Sequence, residues 1–325
     1  MVLDLHMSLT LQNIGQNRIS GVTLRVVAQE AVGGGKGSVT YPSLNVGPGE
    51  VFPARIDMQL VRPTQMAGGP LVQVDLDGVL YQDLTFYGPD RLHSRRFLTA
   101  RALEAQRDRD HFKRVFAQGK GALQQEILSS IARQSEISKS GPLNVQVVPR
   151  SAAVTTAALP AEHAERFAFV QLPDAPVELV EGFAQLAGNQ VRMPQFEVRN
   201  KSGRPVKFVE LGLILNDQSG RQSTAASLPS SDPDLYLPPG KSARVLGDTA
   251  LKLYGGDRQP VNVQKMTGYI SQVEFADGKM WVPSRESLRN PALLKVVAPS
   301  AEEQRLADIY LKKGIDGLAE ELKKF

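Results

Sequence analysis

Two stretches of this chain align with each other without a gap. Leu9–Glu30 reads LTLQNIGQNRISGVTLRVVAQE and Phe196–Asp217 reads FEVRNKSGRPVKFVELGLILND, which sets Asn13 on Asn200, Ile19 on Val206, Val22 on Val209, Leu24 on Leu211 and Val26 on Leu213. Three more blocks follow in the same order. LNVGPGE at Leu44–Glu50 matches LYLPPGK at Leu235–Lys241. Asp77-Gly78, followed by Leu80 and Tyr81, matches Asp277-Gly278, followed by Met280 and Trp281. VFAQGKGALQQEI at Val115–Ile127 matches YLKKGIDGLAEEL at Tyr310–Leu322. Self-similarity of this kind predicts a tandem duplication of one supersecondary unit. The spacing between copies changes only in polar or Gly/Pro-rich stretches, where loops absorb insertions.

Within each copy the apolar residues first alternate with period two, as in half-buried strands. Leu9 and Leu11 precede an Asn-containing turn and Val22, Leu24 and Val26 follow it; Phe196, Val198, Val209, Leu211 and Leu213 repeat the pattern. Asparagine and glycine suit the turn because both tolerate left-handed backbone angles. Pro48-Gly49 and Pro239-Gly240 predict corners, and Asp77-Gly78 and Asp277-Gly278 predict hairpin turns. Short strands with close turn signals predict an antiparallel β-sandwich in each copy. The period then becomes helical. Phe97, Leu98, Ala105, Phe112, Val115, Phe116 and Leu123 fall on one stripe, and Leu306, Ile309, Tyr310, Leu318 and Leu322 on another. Gly119 and Gly314 occupy matching places and predict a bend or break, and Ser300 followed by Glu303 predicts a capping box at a helix start.

The expected fold is mainly β with helical appendages: residues 1–90 the first sandwich, 91–136 a helical segment, 137–187 a linker with extra strands, 188–298 the second sandwich, and 299–325 a C-terminal helical segment. Ser151–Glu165 is small and polar and reads as a flexible linker, while Leu143, Val145 and Val147, and Phe167 and Phe169, predict added strands.

The string NKSGRPVKFVELGLILNDQSG at Asn200–Gly220, with PPGK at Pro238–Lys241, resembles the bacterial FxLyD-type immunoglobulin-like domains, in which an Asn-x-Ser-Gly turn joins two strands and a Pro-Gly corner comes later. The resemblance covers about 90 residues of the second copy and reaches the first through the duplication. It implies immunoglobulin-like sandwiches that are noncatalytic and extracytoplasmic. The helical segments depart from that pattern.

The residues give little chemistry. The chain has no cysteine, which excludes disulfides, thiol nucleophiles and thiolate metal sites, and only four histidines. Gly33-Gly34-Gly35-Lys36-Gly37-Ser38 differs from a phosphate-binding loop because Gly37 separates lysine from serine and strand-like residues follow. Asp108, Asp110 and His111 could offer two metal ligands one turn apart, but no second pair accompanies them, so the spacing predicts a solvated helix face. His6, His93 and His163 stand alone, and no Gly-x-Ser-x-Gly elbow is present. No cofactor, metal or catalytic residue is expected, and the chain is expected not to be an enzyme.

The stretch Arg91–Lys120 carries nine basic residues against three acidic ones, whereas Glu302–Phe325 carries five against six. The stripe and the glycine are therefore shared by both copies and the positive charge is not. An isolated helix of this length is marginal in water, so each stripe needs a cover. The neighbouring sandwich is the expected cover. For the C-terminal segment the alternative is a partner protein seated on Tyr310, Leu311, Leu318 and Leu322. The function expected is a noncatalytic binding or scaffold protein whose partner is another protein. The alternatives are a carbohydrate-binding accessory or an enzyme with an inter-domain cleft, and an anionic-surface binder acting through Arg91–Lys120, including peripheral membrane contact. With 38 basic and 34 acidic residues nearly cancelling, nucleic acid is not the expected partner. No run of about 18 apolar residues predicts a membrane span. A periplasmic or cell-surface location is expected if an export segment precedes Met1, and a cytoplasmic one if the chain is complete as written.

Overall fold

The computed structural model describes residues 2–28, 36–61, 72–139, 143–149, 162–229, 234–246, 249–255 and 258–325. It is mainly β with helical parts and divides into two units, Met1–Gln106 and Arg107–Phe325.

The first unit contains β1 (Val2–Gln12), β2 (Ile19–Ala28), β3 (Lys36–Tyr41), β4 (Val51–Val61), β5 (Val72–Tyr81), β6 (Phe86–Tyr87) and the first part of helix α1 (Ser94–Phe116). β1 pairs with β4, and a second sheet runs β3-β2-β5-β6. Ile19, Val22, Leu24 and Val26 of β2, Phe52, Ala54 and Ile56 of β4, and Val79 of β5 meet in one buried core, so each sheet turns its alternate apolar residues towards the other.

The second unit contains the rest of α1, then α2 (Lys120–Lys139), β7 (Asn144–Pro149), β8 (His163–Arg166), β9 (Ala168–Phe169), β10 (Val177–Ala187), β11 (Gln190–Asn200), β12 (Val206–Asp217), β13 (Gln222–Pro229), β14 (Ser242–Leu246), β15 (Thr249–Tyr254), β16 (Val263–Phe275), β17 (Met280–Trp281), a short α3 (Pro291–Leu294) and α4 (Ala301–Leu322). One sheet runs β7-β15-β11-β10-β8, with β14 also on β11. The other runs β13-β12-β16-β17, with β9 parallel to β16. Val198, Leu211, Leu213, Leu253 and Val273 from the two sheets lie in one core.

The two asparagine turns are built alike. The Asn13 side chain donates to the carbonyls of Asn17 (2.9 Å) and Val46 (3.0 Å) and accepts from Gly15 N–H. Asn200 donates to the carbonyls of Arg204 (2.8 Å) and Leu237 (2.9 Å) and accepts from Ser202 N–H. Isolated bridges Ile19–Val46 and Val206–Leu237 follow, and Gly49 and Gly240 both have positive φ at their corners.

The Asp-Gly match is a different matter. Asp277-Gly278 makes the expected hairpin turn, Gly278 N–H bonding to Phe275 C=O. Asp77-Gly78 does not: it lies inside β5. Asp77 is buried and its carboxylate accepts the N–H groups of Arg91 and Leu92, both at 3.0 Å, just ahead of α1. A Cβ on Gly78 would come within 2.3 Å of the Phe86 ring, so glycine is there to admit that ring. The turn that corresponds to Asp277-Gly278 is Asp83-Leu84, since Leu84 N–H bonds to Tyr81 C=O and Asp83 accepts from Thr85 N–H as Asp277 accepts from Lys279 N–H. Strand pairing follows that register: Val79 faces Tyr87 as Val273 faces Trp281. Trp281 therefore corresponds to Tyr87 and not, as the sequence alignment has it, to Tyr81.

Both glycine breaks are present. Gly119, at φ 116°, separates α1 from α2, and Gly314, at φ 69° and ψ −170°, kinks α4. The polar linker extends less far than expected, because His163–Arg166 forms β8 on the edge of β10; residues 151–161 and the glycines of the Gly33–Gly35 run lie outside the described residues. β7 joins the second unit's sheet through β15. The cover of the helical stripes agrees with expectation at one end only: Leu98, early in the first stripe, is buried over Gly21 of β2, but the later residues are covered differently. Phe112, Leu123, Ile127, Leu306, Ala307, Leu318 and Leu322 form one buried cluster, so the two helical segments cover one another. Among the described residues no helix is long and apolar enough to cross a membrane.

Candidate functional site

The concentration of ionisable groups in the second unit lies beside that helical cluster, where α1, α2 and α4 meet the segment after β17. Asp108 is wholly buried on α1. Arg107 grips it with two bonds, Nε to Oδ1 and Nη2 to Oδ2, each 2.9 Å, while Arg107 Nη1 donates to Pro283 C=O. The Ser300 hydroxyl donates to Asp108 Oδ2, and Arg285 Nη1 lies 3.3 Å from Oδ1.

Arg285 reaches from Asp108 to Glu303. The Glu303 carboxylate, also buried, accepts from Arg285 Nη1 and Nη2, from Arg133 Nη2 (2.8 Å) and from the Ser130 hydroxyl. Glu303 explains why only half of the predicted capping box forms. Ser300 Oγ accepts from Glu303 N–H at 3.1 Å, but the Glu303 side chain turns to the guanidinium groups instead of back to the cap. His111 Nε2 lies 2.7 Å from Glu126 Oε1, and Glu126 also faces Arg285 (3.6 Å) and Arg289 (3.7 Å). A second chain of pairs joins Arg109, buried Glu302, Arg305 and Glu321, with Arg109 stacked 4.2 Å over the Phe325 ring.

The protonation states follow from these partners. Burial by itself raises the Asp108 carboxyl, but the Arg107 guanidinium, the Ser300 hydroxyl and Arg285 together outweigh it and hold the group below the usual carboxylate range. Burial likewise opposes ionisation of Glu126, and the bond to His111 with the charges of Arg285 and Arg289 again leaves it lowered. Burial is the main cause that lowers His111, against the opposing pull of Glu126. Desolvation works against the Arg285 charge, yet Glu303, Asp108 and Glu126 raise its pKa. Asp108 and Glu126 are thus carboxylates held ionised by guanidinium groups, beside a histidine held neutral.

The sequence reading of Asp108, Asp110 and His111 as a solvated helix face is corrected for two of the three. Asp110 is exposed, whereas Asp108 and His111 point inward because their partners stand on α2 and on the segment between β17 and α4, with Arg107 beside Asp108 on α1. Among the described residues no three His, Asp or Glu side chains converge as metal ligands would. The basic surplus of Arg91–Lys120 is partly internal: Arg101 pairs with Glu104, Arg107 with Asp108, Arg109 with Glu302 and Lys120 with Asp316. Leu318 and Leu322 are buried in the helical cluster and Tyr310 packs against it, while Leu311 is 65% exposed. Sequence reasoning passed over Arg285, Ser130 and Arg133, which lie in unremarkable stretches. The sole signal was Glu302-Glu303 after Ser300, read only as a helix start.

No protein-family model matches the chain and no curated protein matches it. Among solved structures the chain is similar to the crystal structure of the ApaA protein from Bordetella pertussis, with 13% identity and a TM-score of 0.21 over 44% of this chain and 90% of that one.

Proposed function

We propose that the chain is a noncatalytic binding or scaffold protein built from two copies of one unit, each an immunoglobulin-like β-sandwich followed by a kinked helical segment. Matched turns at Asn13 and Asn200 support the duplication. So do the matched pairs Leu123 with Leu318 and Ile127 with Leu322, which meet in one cluster. The observation that carries the noncatalytic reading is the closure of the charge cluster: Asp108, Glu302 and Glu303 each face a guanidinium, and His111 faces Glu126. Groups so paired hold helices together. An extracytoplasmic setting rests on the resemblance to FxLyD-type domains.

The test is a panel of ester, phosphoester, glycoside and peptide substrates, with thermal-shift measurements against ATP, magnesium and zinc. The expected result is no turnover and no shift. Turnover or a ligand-dependent shift that His111→Ala or Lys36→Ala removes, with the fold intact, overturns the reading in favour of an enzyme.

A further inference from the structure

Both helical segments break at a matched glycine, and the contacts between them are matched as well. The alignment of Val115–Ile127 on Tyr310–Leu322 extends without a gap to Asp108 on Glu303 and to Ser130 on Phe325. Both members of three matched pairs, Phe112 with Ala307, Leu123 with Leu318 and Ile127 with Leu322, are buried in one cluster. Within each copy the part after the break folds back on the part before it. Glu126 lies 2.7 Å from His111, and its match Glu321 accepts from Arg305 at 2.7 Å.

The order of contacts gives the geometry. Ahead of the breaks, the matched residues Asp108 and Glu303 share Arg285. Just beyond them, Lys120 Nζ lies 2.6 Å from Asp316 Oδ1. From Asp108 on, α1 and the first part of α4 therefore run side by side in the same direction and turn back at the same end. Two elements related by a two-fold axis make each contact twice, with the roles of the partners exchanged. That exchange is present here. Ser130, late in the first segment, bonds to Glu303, early in the second. Phe325, the match of Ser130, lies under Arg109, the neighbour of the residue that matches Glu303. The Lys120–Asp316 bond maps onto Ile315 and Gly121, the chain neighbours of the same two residues, as a contact beside a two-fold axis does.

We infer that the helical segment is a self-complementary pairing element: its apolar face fits a second segment of the same kind, and in this chain each copy supplies one. A role is thereby assigned to the part of the repeat that departs from the FxLyD-type pattern. The apolar faces are alike, so they permit pairing of like segments, and the charges set the preference. Arg109 bonds to Glu302 at 2.8 Å. The match of Glu302 is Arg107, so two first-copy segments would bring Arg109 towards an arginine instead. Like charges so placed disfavour pairing of like segments and leave pairing within one chain the stronger choice. This inference goes beyond the functional reading above and does not depend on it.

The test breaks one face at a time in the full chain. Leu318→Asp with Leu322→Asp takes the cover from Phe112, Leu123 and Ile127, because two unpaired carboxylates, unlike a simple truncation, cannot stay docked in an apolar cluster. Leu123→Asp with Ile127→Asp takes it from the second-copy face. Sedimentation velocity over a wide concentration range reads association, and the fluorescence of Trp281, which packs on the core of the second unit, reports that its sheets are folded. Each variant alone is expected to dimerise with rising concentration. An equimolar mixture of the two restores Arg109 to Glu302 between chains, and its dissociation constant should be at least about tenfold lower. The chain with all four changes should stay monomeric. Folded variants that stay monomeric alone overturn the inference, even if their mixture associates, since the faces then fit only each other. A dimer that persists with all four changes overturns it too. Where one variant loses the fold the other decides, and loss of the fold in both also counts against a separable pairing element.

Discussion

Replacing Arg285 with methionine takes one guanidinium from between two buried carboxylates while keeping an aliphatic side chain near the Phe112 ring, over which Arg285 lies 5.6 Å from the centroid. An exposed ion pair contributes about 0–1 kcal/mol, but removing one member of a buried pair costs about 3–5 kcal/mol, because the remaining charge is left without its counter-ion. Here Arg285 is 12% exposed, Asp108 0% and Glu303 1%, so the buried regime applies. Asp108 keeps Arg107 and Ser300, and Glu303 keeps Arg133 and Ser130, which places the expected loss near the lower end, about 3 kcal/mol. The assay is urea unfolding followed by the fluorescence of Trp281, the one tryptophan of the chain, which belongs to the second unit. The pH dependence gives a separate check. In the wild type Asp108 is depressed below its ordinary 3.8, so its stabilisation is present above that value and is lost as pH falls through the folded pKa. Without Arg285 the Asp108 and Glu126 carboxylates, both lowered in part by its charge, bind protons more readily in the folded state, and protonation relieves the unpaired charge. The deficit of Arg285→Met should therefore shrink between neutral pH and about pH 4.5. Adding Glu303→Gln should recover part of the loss, since residues of one network are not additive. A loss below about 1 kcal/mol, or a deficit that grows on acidification, would refute the reasoning.

Leu318→Ala should destabilise the second unit by about 2–5 kcal/mol, read from the unfolding midpoint, without changing the state of association, because Leu318 is wholly buried among Phe112, Leu123 and Leu322. Gly314→Ala should cost about 1–3 kcal/mol from backbone strain alone, as a Cβ there meets nothing within 4 Å while φ is 69°. Asn200→Ala should cost about 1–3 kcal/mol by leaving the carbonyls of Arg204 and Leu237 without that donor, and Asn200→Asp, lacking the amide, should not restore it. His111, lowered from its ordinary 6.5, contributes stability that is complete above that value and is lost as pH falls towards its folded pKa. The wild type should weaken on acidification from about neutral, and His111→Gln should flatten that limb of the stability profile.

Local geometry was legible from the residues. The Pro-Gly corners, the alternation of β2 and β12 and the breaks at Gly119 and Gly314 depend on φ, ψ and periodicity within a few positions, and the asparagine turns do so for their bonds to Asn17 and Arg204, while their bonds to Val46 and Leu237 reach more than 30 residues along the chain. Asp77-Gly78 shows where that ends. It has the residues of a hairpin turn, but Phe86 needs the space over Gly78 and the start of α1 needs the Asp77 carboxylate, and both demands come from outside the local window. The helical stripes announced a need for cover, with the neighbouring sandwich as the expected one; Leu98 is buried over Gly21 of β2, but from Phe112 on the structure puts one stripe on the other. The charge cluster was the least legible part. Asp108, Arg285 and Glu303 are far apart in sequence, and each alone looks like an ordinary surface residue. A charge can be buried only when its counter-charge is buried with it, so whether Asp108 faces water or the interior was settled by the fold that brings Arg285 to it.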